Sequence, residues 1–186
     1  DGKGATLVPV DYFGDLSDPD NWNGHRLFGG DPGKLGRGPA LDVVVNEVVV
    51  WPGAGQQAAI ELYNRTDRPI DVTGWYLSNS STILKKYRIP AEKGVIPAGG
   101  YAVFYQSEFA PGGGTQVTDI VFSPYNPNEV WLMQTDAAGK LVRFADKVDT
   151  GVAGQGASFG RAPSGTGDFA LLAAASVGAV NSPAAG

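Results

Sequence analysis

Two carboxylates, Glu47 and Glu61, lie inside apolar runs, Val43-Val-Val-Asn-Glu-Val-Val-Val-Trp51 and Ala59-Ile-Glu-Leu-Tyr-Asn64. A carboxylate buried without donors is expensive. Each is therefore expected to accept hydrogen bonds from loop amides, or to pair with an arginine such as Arg161, holding one end of the fold together. The sharper chemistry is a general acid/base pair, because two carboxylates at a fixed separation are what glycoside hydrolysis requires. With a single histidine, His25, and no cysteine, no base, nucleophile and orienting group assemble around them. The structural reading is the stronger, and no catalytic residue is assigned.

A second constellation is Asp15-Leu-Ser-Asp-Pro-Asp-Asn-Trp-Asn23, where Asp15, Asp18, Asp20, Asn21 and Asn23 supply the hard oxygen ligands that Ca²⁺ favours. It lacks the turn glycine and closing glutamate of an EF-hand loop, and an Asx-rich turn that caps its own backbone is the simpler reading. Calcium is the one candidate cofactor. Aromatic residues raise a third possibility, a face on which sugars stack. Trp75 and Trp131 are assigned to the core, and Trp22, Tyr76 and Tyr125, with polar neighbours, are the candidate ligand-binding anchors.

The elements that must position these residues are short strands. The chain has 186 residues with 27 Gly and 13 Pro, and its apolar runs are brief and separated by turn signals. Ile60 and Leu62 alternate with Glu61 and Tyr63, the period of a half-buried strand. Asn64 to Pro69 turns into a short strand from Ile70 to Val72, and Gly74 lets the chain turn before Trp75 and Leu77 return to the core. Further strands are expected at Tyr87 to Pro90, Tyr101 to Tyr105, Val117 to Phe122, Val130 to Met133 and Leu141 to Phe144, the last two joined through the hairpin loop Thr135 to Gly139. Ser158 to Arg161 and Asp168 to Leu172 follow, and Ala173 to Gly186 reads as a small-residue tail. Eight to ten such strands call for an all-β fold of two packed antiparallel sheets, a β-sandwich.

Net charge is -5, so no global positive field attracts a phosphate backbone and nucleic acid is disfavoured as a partner. Lys85-Lys86 is read as a solvated loop or edge guard. No apolar segment is long enough to insert in a membrane as a helix. The N-terminus lacks a signal-peptide pattern, as expected after cleavage or in an excised fragment. Residues 1–40 carry a Gly/Pro-rich run from Gly29 to Pro39, read as linker, and lack sustained periodicity, an expected appendage, linker or tail of a preceding domain. Residues 41–186 form the expected principal domain.

The series Asn46-Glu47, Ile60-Glu-Leu-Tyr-Asn64, Val72-Thr-Gly-Trp-Tyr-Leu77, Ile96-Pro-Ala-Gly-Gly-Tyr101, Trp131-Leu132, Ser158-Phe-Gly-Arg161 and Gly178-Ala-Val-Asn181 resembles, in order, the lamin tail domain in its bacterial branch. The resemblance implies an immunoglobulin-like β-sandwich and carries over the fold alone, not a site; Asn46, Glu47, Glu61, Gly74, Trp75, Trp131 and Arg161 are read as structural residues. It also implies a non-catalytic module of a secreted or cell-surface bacterial protein, presenting loops or an edge strand to a protein or surface polymer. The alternative is a carbohydrate-binding module that targets a neighbouring catalytic domain.

Overall fold

The computed structural model describes residues 6–9, 13–25, 27, 42–183 and 185, with residues 20, 23 and 24 described by their backbone alone. Its strands are β1 (Leu7–Pro9), β2 (Trp22–Gly24), β3 (Val43–Val49), β4 (Ala59–Asn64), β5 (Ile70–Asp71), β6 (Tyr76–Ser78), β7 (Tyr87–Arg88), β8 (Val95–Ile96), β9 (Tyr101–Tyr105), β10 (Asn128–Thr135), β11 (Leu141–Thr150), β12 (Phe159–Ala162) and β13 (Asp168–Leu171), with an α-helical turn, α1 (Gln106–Phe109), and 3-10 turns at Pro19–Asn21 and Ala91–Lys93. They form a five-stranded sheet in the order β13-β12-β3-β4-β9 and a four-stranded sheet in the order β11-β10-β6-β7, while β1 pairs with β2 and β5 with β8. All pairings are antiparallel.

β3 is central and buried along its whole length, as its apolar run predicts. Val45, Val48, Ile60, Leu62 and Phe104 from the five-stranded sheet meet Leu77, Val130, Leu132 and Val148 from the other, and Trp75 is 4% exposed among them. Gly74 makes its turn at φ 81°, a conformation that costs a glycine nothing. The β10–β11 hairpin forms as expected. The Asp136 carboxylate accepts the amides of Ala138 and Lys140, and Gly139 adopts φ 75°.

Four expectations fail for identifiable reasons. Val117 to Phe122 is not a strand. The Asp119 carboxylate accepts the Gly114 and Gln116 amides and winds the segment into a turn, so that only Ile120 and Phe122 reach the core. Trp131 lies on the outer face of the four-stranded sheet, half-buried beside Met133 and Phe144, because its neighbours Val130 and Leu132 take the inward positions. β4 is not half-exposed, since Glu61 is as buried as Ile60. The 173–183 segment causes this, for it lies across the sheet's outer face and is no trailing end. Its amides and side chains reach Glu47, Glu61 and Asn46.

Lys85 and Lys86 serve the loops they sit in, donating to the Gly139 carbonyl and to Asn79 and the Asp119 carbonyl. In the N-terminal part, His25 is 2% exposed, and Leu27 forms an antiparallel bridge with Arg143 of β11. The Gly29 to Pro39 run read as linker lies outside the described residues.

Candidate functional site

The polar residues of interest converge on a bulge. β3 and β4 shift register between Val45 and Glu47, leaving Asn46 as the extra residue and setting Glu47 directly opposite Glu61. A bulge re-aims side chains and interrupts the ladder, and here the interruption is filled by side chains. Beyond Glu47 the β12 pairing stops, and the Asp146 carboxylate accepts the Val45 amide at 2.8 Å while Arg161 Nε donates to the Val45 carbonyl at 3.1 Å. Arg161 and Asp146 bind each other at 3.1 Å. This pair continues the β3 ladder where no strand does, and it ties β12 to β11 of the opposite sheet. Burial raises the Asp146 pKa and the Arg161 guanidinium opposes that rise.

On the outer face, Asn46 Nδ2 donates to Glu61 Oε1 at 2.7 Å and to Asn181 Oδ1 at 3.0 Å, and Asn46 Oδ1 accepts the Gly165 amide at 2.7 Å. Asn181 Nδ2 returns bonds to the carbonyls of Asn46 and Arg161. Glu47 accepts the Ser176 amide at 2.8 Å and the Ser176 hydroxyl at 2.9 Å, and Glu61 Oε2 accepts the Gly178 amide. Glu47, Glu61 and Asn46 are each 0% exposed. Burial pushes the Glu61 carboxyl up to about 7 against the hydrogen bonds from Gly178 and Asn46. Every carboxylate oxygen of this pair is thus engaged by a donor from the fold itself, and none faces open solvent where a substrate would sit. The expected loop-amide donors are present, but Arg161 pairs with Asp146, which sequence reasoning did not single out.

Gly160 of β12 gives Asn181 its place. A Cβ there would stand 2.7 Å from the Asn46 carbonyl and 2.8 Å from both Asn181 Nδ2 and Leu172 Cδ1. Gly160→Ala is expected to cost about 1–3 kcal/mol, seen in thermal unfolding as a fall of roughly 2–4 °C per kcal/mol. An unchanged Tm would mean that the 173–183 segment, a strap across the sheet, yields freely.

Among the described residues, the other candidates do not converge on one site. The Asp15 carboxylate turns onto its own chain, accepting the Ser17 amide and hydroxyl, and these bonds hold its pKa below the usual value. Asn21 Nδ2 donates to the Asp15 carbonyl. The side chains of Asp20 and Asn23 lie outside the described residues, and Asp18 has a partner of its own. Among the described residues no cluster of three His, Cys, Asp or Glu side chains converges to hold a metal. Trp22 is half-buried and donates its indole N–H to the Leu16 carbonyl. Tyr76 is half-buried beneath Lys85, 5.7 Å from the ring centroid. Tyr125 is 73% exposed, its ring set edgewise to Trp51 at 5.7 Å. The three rings occupy separate elements.

The lamin tail domain model matches residues 38–151. The chain belongs to the lamin tail domain family. This is a family of non-catalytic, immunoglobulin-like domains, in accord with the engaged carboxylates and the two-sheet sandwich described above. The match ends before β12, yet β12 and the strap complete the lamin tail sandwich here by pairing with β3 and covering its bulge. A comparison with curated proteins finds no match to the chain. No helix among the described residues is long and apolar enough to cross a membrane.

Proposed function

We propose that this lamin tail domain is a non-catalytic interaction module of an exported or cell-surface protein, and that it engages a protein or surface polymer through a loop rather than a sheet edge. The observation that carries the reading is Tyr125, a large aromatic 73% exposed on a loop that is firmly built. Asn128 closes that loop by accepting the Ser123 amide and donating to the carbonyls of Ser123 and Asn126. A rigid, exposed tyrosine offers contact area at little entropic cost, which is what binding anchors use.

The edges are poorly suited to strand addition. On β9, Lys93 donates to the Val103 carbonyl and Glu108 accepts the Tyr105 amide, while the two side chains form a 2.7 Å ion pair. On β13 the Leu171 carbonyl is taken by the Ala185 amide. β7 is two residues long, and β11 carries the bridge to Leu27.

The test is a binding screen of the chain and of Tyr125→Ala against cell-surface extract and polysaccharides. Saturable binding that weakens about tenfold or more in Tyr125→Ala, with Tm unchanged, supports a loop-borne site. If the ligand so bound is a glycan, the carbohydrate-binding reading takes precedence. Binding indifferent to Tyr125 would overturn the assignment of the loop.

A further inference from the structure

We propose that the open cleft between the strap and the loop joining β3 to β4 binds a neutral, N-acetylated sugar, at a site separate from the Tyr125 loop and independent of what that loop binds. The cleft has a volume of about 540 Å³, within the range of small-ligand sites. Val177 and Ala179 of the strap form one wall, Gln56 and Gln57 of the loop another, and Val49 and Tyr105 contribute from the ends of β3 and β9. Tyr125 is not among its walls. Bonds to Glu47, Glu61 and Asn46 set the position of the strap, so the buried network builds one side of this site.

The polar chemistry of the cleft is one-sided. Gln56 Oε1 accepts the Gly53 amide at 3.1 Å, and Gln57 Oε1 accepts the Ser107 amide at 3.0 Å. A backbone amide can only donate, so each carboxamide presents its oxygen there and keeps its N–H2 group for another partner. Among the described residues neither N–H2 group has an acceptor. The hydroxyl of Ser176 on the strap is already spent, donating to Glu47 and accepting the Ser182 amide. No charged side chain lines the cleft. Lys93, over the Tyr105 ring at 5.6 Å, is neutralised by Glu108, and Glu47 and Glu61 beneath the strap are closed to solvent.

Such a cleft selects a ligand that brings acceptors and apolar surface without net charge. A phosphate or an acidic sugar would find no unpaired cation in the lining. An extended peptide would find no free strand edge, since the Tyr105 amide and the Val103 carbonyl of β9 are taken by Glu108 and Lys93. An acetamido sugar matches each feature. Its carbonyl oxygen can accept from the glutamine N–H2 groups, its methyl group suits Val49, Val177 and Ala179, and its ring C–H edges suit the Tyr105 ring, 37% exposed. A plain hexose offers hydroxyls in place of that carbonyl, and their protons meet no free side-chain acceptor among the described lining residues.

The test is titration of the whole chain with the trisaccharide of N-acetylglucosamine, followed by NMR. Two controls run beside it, the matching glucose trisaccharide and N-acetylalanine methylamide, which carries acetamide without a sugar ring. Saturable shifts are expected at the Gln56 and Gln57 side-chain amides and at the Val177 and Ala179 amides, with the acetylated sugar bound at least about tenfold tighter than either control. Gln56→Glu and Gln57→Glu keep the acceptors that the Gly53 and Ser107 amides need and remove the donors. Each is expected to weaken binding about three- to tenfold at unchanged Tm, while Tyr125→Ala leaves it unaltered. Absence of saturable binding at millimolar sugar, equal affinity for either control, or binding unmoved by both glutamate variants would each overturn the site. Loss of the sugar in Tyr125→Ala alone would overturn it as well and place glycan binding on the loop.

Discussion

Replacing Arg161 by leucine is expected to lower the unfolding free energy by about 3–5 kcal/mol at neutral pH. The loss comes from what is left behind. Asp146 is 5% exposed and would be left without the counterion that offsets its burial, and the Val45 carbonyl would lose its Arg161 Nε donor. The carbonyl of Gly167 and the face of Phe169, which the guanidinium also touches, would lose their contact too. A double replacement, Arg161→Leu with Asp146→Leu, is expected to recover part of the loss by removing the stranded charge. Full recovery is not expected, because the Val45 amide and carbonyl then have no ladder partner. Urea unfolding of the three variants checks this. A single variant within about 0.5 kcal/mol of the parent would show that the pair is only an ordinary ion pair.

The second large effect is at Asn46. Asn46→Ala leaves Glu61 Oε1, Asn181 Oδ1 and the Gly165 amide without their bonds in a site closed to water. Each stranded group costs about 1–3 kcal/mol, and the three together are expected to remove about 4 kcal/mol or more, a large fraction of a typical domain's stability. Loss of cooperative unfolding would be the extreme form of the same result. A near-native midpoint would mean that water or a shifted strap replaces the side chain.

Much of the sandwich is legible in the chain because its core rests on period-two alternation and on punctuation by glycine, proline and aspartate. The burial of Ile60 and Leu62, the central place of β3, the turn at Gly74 and the β10–β11 hairpin all follow from patterns within a few residues of each other. The buried carboxylates are legible in kind, since a glutamate inside an apolar strand must find donors. Where those donors come from is not. Ser176, Gly178 and Asn181 lie in a run of small residues with no period, and a segment that covers a sheet by hydrogen bonds leaves no hydrophobic signature.

Asp146 escaped for a related reason. An aspartate between Ala145 and Lys147 reads as solvent-facing, and its task depends on a bulge in a strand 100 residues away, reached through Val45 at a separation of 101. Val117 to Phe122 shows the opposite error, in which β-forming residues are overruled by the single carboxylate of Asp119. Trp131 shows a third. The period-two pattern fixes that Val130 and Trp131 face opposite ways, but which of them faces the core depends on the partner sheet.

The central claim is that the Asn46, Glu47 and Glu61 cluster is architecture, spent on holding the strap, and that recognition belongs to the loops. A double-mutant cycle on Asn46→Ala and Asn181→Ala, read by urea unfolding, tests it most directly, since these two side chains bond each other while Asn46 also holds Glu61 and Asn181 the Arg161 carbonyl. The account predicts that both single variants are destabilised and that the double variant loses less than their sum, by at least about 1 kcal/mol. Additive effects, with both single variants near native stability, would contradict it and return Glu47 and Glu61 to the candidates for chemistry.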